Sequence, residues 1–110
     1  INVIFYHTPN GDCPIKNYLD SLSPKLRVKT MRSIMLLEEF GTESDYRPLG
    51  DGIFELRSIS GSNITRVLYF FIKGNTAILT HGFTKKQPKT PVREITKAKF
   101  YRSDYEKCIK

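Results

Sequence analysis

Charged side chains inside apolar segments are the features of this sequence best suited to chemistry. Glu55, Arg57 and Arg66 interrupt apolar runs between residues 53 and 72. The next apolar run ends in a polar segment that contains three lysines, Thr84-Lys85-Lys86-Gln87-Pro88-Lys89. If these runs are strands, one carboxylate and several permanent cations lie on a sheet beside a basic rim. Such a surface suits a phosphate-rich partner, because fixed positive charge attracts polyanions.

The charge is distributed unevenly along the chain. Residues 1–56 contain six Lys and Arg residues against eight Asp and Glu residues, a net charge of −2. Residues 57–110 contain twelve against three, a net charge of +9. One-sided positive charge is typical of a domain that binds nucleic acid or an acidic protein. The alternative is that the basic surface only keeps the chain in solution.

Length and composition exclude several classes of protein. A chain of 110 residues is expected to form one domain, 1–110, and to bury a core without a metal or a disulfide. Cys13 and Cys108 have no CxxC spacing and no second ligand pair, so we expect no metal site, and we expect both as buried, reduced thiols. No apolar run approaches the roughly 18 residues of a membrane span, and no signal peptide is visible. We therefore expect a cytoplasmic protein.

The first half of the chain predicts one strand and two helices. Residues 1–5 are β-branched and aromatic, as in a strand. A short helix is predicted from Pro14 to about Leu22. A second helix begins at Ser23-Pro24, an N-cap followed by a proline at the first helical position, and ends at Gly41. Residues 42–52 read as a loop.

The second half predicts a three-stranded antiparallel meander followed by a helix. The strands begin near residues 53, 65 and 76, with turns at 60–63 and 73–75. Alternation places Ile53, Glu55 and Arg57 on one face, and the cations are expected at strand ends or on the open face. Thr90-Pro91 repeats the N-cap signal and opens a helix with an apolar stripe from Val92 to Cys108. The predicted class is α+β.

Three segments carry the most specific patterns of the chain: LGDGIFELR at 49–57, TRVLYF at 65–70 and HGFTKKQPKTP at 81–91. They resemble the RelE/ParE toxin superfamily, and within it the HigB-like, phage-related toxins of bacterial type II toxin–antitoxin modules. They match the family's glycine–aromatic–Glu-Leu-Arg, Arg-x-x-Tyr and Phe-x-Lys-Lys patterns, and the order of elements agrees over nearly the whole chain. The pair Ile53-Phe54 departs slightly, since the aromatic residue lies next to the carboxylate.

The resemblance implies a RelE-like fold and a ribosome-dependent endoribonuclease that cuts mRNA in the ribosomal A site. In that reaction the RNA 2′-hydroxyl attacks the adjacent phosphate without a metal or another cofactor, so the protein supplies a base, cations and an acid. The implied partners are the ribosome with its 16S rRNA, mRNA, and a small HigA-like helix-turn-helix antitoxin. This antitoxin is expected to dock on the basic half of the chain.

The resemblance also assigns roles to a catalytic set, which comprises Glu55, Arg57, Arg66, Lys85 and Lys86. Glu55 occupies a position that is a carboxylate base in some members and a lysine in others. Arg57 supports the ionised form of Glu55, contacts RNA, or only makes a salt bridge. Arg66 matches the arginine that clamps the scissile phosphate. Lys85 and Lys86 match a basic pair that stabilises the transition state, and a lysine with a lowered pKa also serves as the acid.

Five further residues are candidates for substrate binding: His81, Phe83, Lys89, Arg93 and Lys97. His81 suits a general acid because imidazole titrates near neutrality. Its alternation with Leu79 and Phe83, however, favours a buried and hydrogen-bonded side chain. Phe83 either stacks on an unpaired base or packs in the core.

Two functions from other classes compete with the ribonuclease. A ParE-like toxin has the same fold but inhibits DNA gyrase and cuts no RNA. A passive basic module binds nucleic acid by neutralising phosphates. Three assays distinguish these functions. Cleavage of mRNA on ribosomes indicates the ribonuclease, inhibition of DNA supercoiling indicates the gyrase inhibitor, and a gel shift without either effect indicates the passive module.

Overall fold

The computed structural model describes residues 1–41, 46–86 and 88–108. Within these ranges three helices and five strands confirm the α+β class. Each helix lies where the sequence predicts one, and none is long and apolar enough to cross a membrane. In chain order the elements are β1 (Asn2–Phe5), α1 (Pro14–Ser21), α2 (Pro24–Phe40), β2 (Tyr46–Gly50), β3 (Ile53–Ser60), β4 (Asn63–Ile72), β5 (Thr76–Lys85) and α3 (Val92–Cys108).

The sheet is larger than the predicted meander and is mixed. Its strand order is β1-β5-β4-β3-β2. The predicted strands β3, β4 and β5 do pair antiparallel in chain order. β1 adds to one edge parallel to β5, and β2 adds to the other edge antiparallel to β3. The predicted antiparallel meander is therefore confirmed, but the prediction was wrong about the extent of the sheet, which has one more strand at each edge.

The strand β2 replaces part of the predicted loop at 42–52, whose residues 42–45 lie outside the described ranges. A proline disfavours a central strand, but Pro48 lies on an edge strand, where a missing N–H is tolerated. The turn into β3 consists of Asp51 and Gly52, whose φ angles are 54° and 78°. Two positive φ angles are what a two-residue type I′ hairpin requires. The Asp-Gly pair was thus a hairpin signal.

The helix signals are confirmed at both ends of α2. The Ser23 hydroxyl accepts a hydrogen bond from the Leu26 amide at 3.4 Å, and Pro24 is the first helical residue. Gly41 ends the helix at φ 61°, a conformation that L side chains rarely adopt. The helix therefore has defined ends and presents one fixed face to the sheet.

The two faces of the sheet are covered by different helices. One core lies between the sheet and the helices α1 and α2, and includes Ile15, Leu37, Leu56, Tyr69 and Leu79. The other core lies under α3 and includes Tyr6, Ile53, Leu68, Phe70, Ile78, Phe83 and Ala98. The predicted face of Ile53, Glu55 and Arg57 is the one that α3 partly covers.

A β-bulge in β5 changes which residues face α3. Thr80 is the extra residue between Leu79 and His81, and its hydroxyl donates to the Leu68 carbonyl at 3.0 Å. A bulge reverses the alternation of side chains beyond it. His81 therefore shares its face with Phe83 under α3, whereas Leu79 points to α1 and α2. The expectation that all three alternate on one face was wrong.

The apolar stripe of α3 is shorter than predicted. Ala98, Tyr101 and Tyr105 pack on the sheet. Val92 and Cys108, at the two ends of the helix, are exposed, because only the middle of the helix contributes to the core. The expectation of two buried thiols therefore holds for Cys13 only.

Gly82 allows an aromatic ring to lie against the strand β5. A Cβ atom at this position would lie 2.2 and 2.5 Å from ring atoms of Tyr18 and 2.9 Å from the Arg66 carbonyl oxygen. We expect Gly82→Ala to lower the free energy of unfolding by about 1–3 kcal/mol, as overpacking does, measured by urea denaturation. In a Tyr18→Ala background the same substitution should cost clearly less. An equal cost in both backgrounds would show that the Tyr18 ring is not the obstacle.

Candidate active site

Three charged residues of the predicted catalytic set, Glu55, Arg57 and Arg66, meet on the α3 side of the sheet. Glu55 and Arg57 lie two residues apart on β3 and therefore point to the same face. Arg66 on β4 is the direct cross-strand partner of Arg57. The sequence thus brings one carboxylate and two guanidinium groups together through strand alternation and register.

Glu55 is fully buried, and intramolecular donors bind both of its carboxylate oxygens. Its Oε1 accepts from Arg57 Nε at 2.5 Å, and its Oε2 accepts from the Thr90 hydroxyl at 2.5 Å. Arg66 Nη1 lies 3.8 Å from Oε2. Buried carboxylates need such compensation, because desolvation without partners is costly. In this arrangement Glu55 joins three side chains from two strands and the segment before α3.

Arg66 is fully buried in the middle of β4. Its guanidinium carbon lies 5.8 Å from the centre of the Phe83 ring, within the range of a cation–π contact. Its Nη1 donates to the Thr90 hydroxyl and to the Pro88 carbonyl, both at 3.3 Å. The expectation that the cations lie at strand ends or on the open face is therefore wrong for Arg66. Its charge is tolerated inside because Glu55 and these acceptors surround it.

The electrostatics of Arg66 identify a third arginine at the site, which the sequence did not reveal. Burial lowers the pKa of Arg66, the nearby charges of Arg57 and Arg47 lower it further, and Glu55 opposes them. An arginine still keeps its proton at neutral pH. Arg47 lies on β2 directly opposite Glu55. It was missed because its segment read as a loop, which gave it no register with the other charges.

Two arginines converge on one backbone oxygen at this site. Arg57 Nη2 and Arg66 Nη1 both donate to the carbonyl of Pro88. Arg57 remains partly exposed, with 14% of its side chain accessible, whereas Arg66 on the neighbouring strand is fully buried. Paired guanidinium groups aimed at one point form a receptor for an oxygen that carries negative charge.

Thr90 does not have the role predicted from the sequence. The first helical hydrogen bonds of α3 are accepted by the Pro91 carbonyl, from Glu94 N at 3.0 Å and Ile95 N at 3.4 Å. The Thr90 hydroxyl instead donates to Glu55 and accepts from Arg66. The sequence contains no signal for this link, because the partners lie 35 and 24 residues away. Thr90 therefore ties the segment before α3 to the buried charges.

Among the lysines of the basic rim, Lys85 lies on β5 two residues beyond Phe83, the cross-strand partner of Arg66. Lys85 is the last residue of β5 rather than part of the predicted loop, and it is half-buried. By alternation it shares the α3 face of the sheet with Phe83. Lys86 and Lys89 are exposed on either side of Pro88. Gln87 lies outside the described residues.

The other candidate residues are divided between the interior and the surface. His81 is buried, with Nε2 3.1 Å from a Glu94 carboxylate oxygen and Nδ1 3.0 Å from the Thr80 hydroxyl. Burial lowers the pKa of His81, while Glu94 acts in the opposite direction. Phe83 is buried beneath Arg66, which leaves little of its ring for stacking on a base. Arg93 and Lys97 are exposed on α3.

Part of the positive charge of α3 is neutralised by an intramolecular contact. Asp51 lies 3.4 Å from Lys99 Nζ and 3.2 Å from Arg102 Nη2. The hydrogen bond and charge of Lys99, followed by the charge of Arg102, lower the pKa of Asp51. These two cations attach α3 to the β2–β3 turn and are less available to a polyanion than Arg93 and Lys97.

A family model covers the part of the chain that contains this site. Residues 17–102 match the family described as Phage derived protein Gp49-like (DUF891). The chain belongs to this family. Gp49-like proteins are a RelE/HigB-type, toxin-like family, which agrees with the resemblance seen in the sequence. No curated protein matches the chain significantly.

The Thr90 link of this Gp49-like chain can be tested through stability. Thr90→Val keeps the shape but removes the hydroxyl, which leaves Glu55 and Arg66 each without one buried partner. We expect a loss of about 1–3 kcal/mol in the free energy of unfolding, the cost of an unsatisfied buried polar group, measured by urea denaturation. Thr90→Ser keeps the hydroxyl and should lose distinctly less. Equal losses for the two variants would mean that the methyl group, not the hydrogen bonds, matters at this position.

Proposed function

We propose that this chain is a HigB-like toxin of a type II toxin–antitoxin module and that it cleaves mRNA on the ribosome. Membership of a toxin-like family supports the first part. The second part is supported by the cationic site. In this proposal the chain is a single cytoplasmic domain that works without a metal or another cofactor, and it binds the ribosome and mRNA through its basic half.

The observation that carries the proposal is the convergence of Arg57 and Arg66 on one oxygen. The Pro88 carbonyl that they share marks a point where two guanidinium groups deliver hydrogen bonds. A non-bridging oxygen of an RNA phosphate replaces this carbonyl when substrate binds, because a charged oxygen is the stronger acceptor. Arg57 reaches the phosphate from the surface, and Arg66 reaches it from the interior.

The reaction needs no group beyond those of the RNA and this site. The RNA 2′-oxygen forms a bond to the adjacent phosphorus, and the bond from phosphorus to the 5′-oxygen breaks. The products are a 2′,3′-cyclic phosphate and a free 5′-hydroxyl. The proton of the 2′-hydroxyl passes to a base, and the 5′-oxygen receives a proton from an acid. The extra negative charge on the phosphate oxygens is stabilised by the arginines, which are held in place before the reaction begins.

Glu55 serves this mechanism first as an organiser. Its carboxylate fixes the guanidinium of Arg57 and lies beside that of Arg66. It takes the 2′-hydroxyl proton only when the Thr90 hydroxyl leaves Oε2, since both of its oxygens are bound in this structure. A general base must come within hydrogen-bond reach of the proton that it removes.

The lysines of the rim complete the proposal. Lys85 and Lys86 stabilise the transition-state charge, and one of them protonates the leaving 5′-oxygen. Lys89, Arg93 and Lys97 are exposed around the site and neutralise neighbouring phosphates. Phe83 and His81 support the site from the interior rather than contact the RNA.

The proposal is tested by single-turnover cleavage of mRNA on programmed ribosomes. Arg57→Gln removes one of the two converging guanidinium groups and should slow cleavage by at least about 100-fold, as loss of one oxyanion donor does. Arg57→Lys keeps the charge but not the planar guanidinium group. Its cleavage rate should lie between the rates of Arg57→Gln and the wild type. Binding to ribosomes should change much less than the rate.

Lys16→Gln is the matched surface control. Lys16 is an exposed cation on α1, on the opposite side of the sheet, and its ion pair with Asp20 is solvent-exposed. Such pairs contribute about 0–1 kcal/mol to stability, so cleavage should stay near the wild-type rate. A wild-type chain that blocks gyrase supercoiling and leaves mRNA intact would refute the proposal in favour of the ParE-like function. A gel shift with neither mRNA cleavage nor inhibition of supercoiling would also refute it and would indicate a passive nucleic-acid-binding module.

A further inference from the structure

The helix α2 carries apolar side chains on the side that faces away from the sheet. Its inner side is formed by Leu26, Thr30, Ile34 and Leu37, which pack toward the sheet. Val28, Met31 and Met35 lie on the outer side at spacings of three and four residues, so they form one stripe. They are 68%, 36% and 62% exposed. A stripe with this spacing is what one helix presents to another.

Two arginines border this stripe. A shallow groove of about 390 Å³ is lined by Arg27, Val28, Met31, Arg32 and Met35. The guanidinium of Arg27 is held by the carbonyls of Leu19 at 2.9 Å, Asp20 at 3.0 Å and Leu22 at 3.2 Å. Arg32 is exposed. Among the described residues, no carboxylate lies within ion-pair distance of either arginine. The groove is therefore apolar along its floor and positively charged along its walls.

We propose that the outer face of α2 is the docking surface for the antitoxin, and that the docked segment is an amphipathic helix with carboxylates beside its apolar stripe. The apolar residues of the partner fill the groove, and its carboxylates pair with Arg27 and Arg32. Four of the first nine residues of α2 are cations, whereas its two acidic residues are Glu38 and Glu39 near the end. The carboxylates of the partner therefore lie against the first half of α2.

A second copy of this chain fits the groove less well. Two antiparallel copies of α2 that share the stripe would be related by a two-fold axis midway between Val28 and Met35. Arg32 lies next to that midpoint, so the two Arg32 side chains would meet at the axis. Each chain also carries a formal net charge of +7. Like charges at close range oppose self-association and favour an acidic partner.

The proposal rests on the toxin–antitoxin function above and changes where the antitoxin is expected. The sequence suggested docking on the basic half of the chain. The helix α2 covers the face of the sheet opposite to Glu55, Arg57 and Arg66. An antitoxin on α2 therefore leaves the arginine site uncovered.

The test is a titration of the full chain with the separately purified antitoxin from the neighbouring gene. Val28→Glu combined with Met35→Glu places carboxylates in the groove and should weaken the affinity by about 100-fold or more, as loss of central interface contacts does. Val92→Glu combined with Phe100→Glu is the matched control, because these α3 residues are 70% and 69% exposed. The control should change the affinity less than about threefold, within the range of a remote surface substitution. Thermal melting followed by circular dichroism confirms that both variants fold.

The outcomes separate this proposal from the proposed activity. Unchanged affinity for the α2 variant, a loss confined to the α3 control, or no binding by the wild-type chain overturns the docking surface. A change in self-association by sedimentation, with antitoxin affinity intact, overturns it in favour of contact between copies. Ribosome-dependent cleavage by the wild-type chain alone is measured separately. Absence of that cleavage would refute the enzyme while α2-dependent binding still stands.

Discussion

The buried carboxylate of Glu55 is the interaction on which the cationic end of this fold depends. It lies in the interior with two arginines beside it, where an uncompensated charge would not be tolerated. Removing one member of such a buried group costs about 3–5 kcal/mol, because the remaining charge keeps its desolvation penalty. Arg57, Arg66 and Thr90 are therefore held in one arrangement because they compensate the buried charge of Glu55, and not only because their shapes fit.

This cluster also fixes how the chain enters α3. Thr90 is bound to Glu55 two residues before the helix begins, and the Pro88 carbonyl is bound to both arginines. The segment between β5 and α3 is thus anchored on the polar half of the sheet, while Ala98 anchors the helix on the apolar half. The same contacts that place the helix also hold the guanidinium groups in position, so the stability of the fold and the geometry of the site are not separable here.

Sequence reasoning succeeded where local rules decide the structure. Alternation alone placed Glu55 and Arg57 on one face, and the capping residues Ser23 and Gly41 marked the ends of α2. It failed where distant contacts override local ones. The bulge at Thr80 depends on a hydroxyl bonding across to β4, and Thr90 acts through partners on β3 and β4. Neither link has a local pattern, because its partner is remote in the chain.

The edge strand β2 illustrates a second kind of failure, in which the local signal is present but is compatible with both a loop and a strand. Pro48 and the Asp51-Gly52 pair were read as marks of a loop, yet a proline is compatible with an edge and Asp-Gly with a hairpin. Recognising the hairpin would have placed Arg47 beside Glu55 and added a cation to the site.

The sheet finally separates two surfaces of opposite character. Under α3 the charges are paired, largely sealed and arranged around one oxygen, which suits chemistry on a phosphate. On α2 the apolar side chains are exposed, and among the described residues no carboxylate lies within ion-pair distance of Arg27 or Arg32, which suits recognition of a protein. Because the sheet lies between α2 and the arginines, a partner on α2 does not need to disturb them. The proposed docking surface and the proposed active site therefore lie on opposite sides of one sheet, and each is open to its own partner.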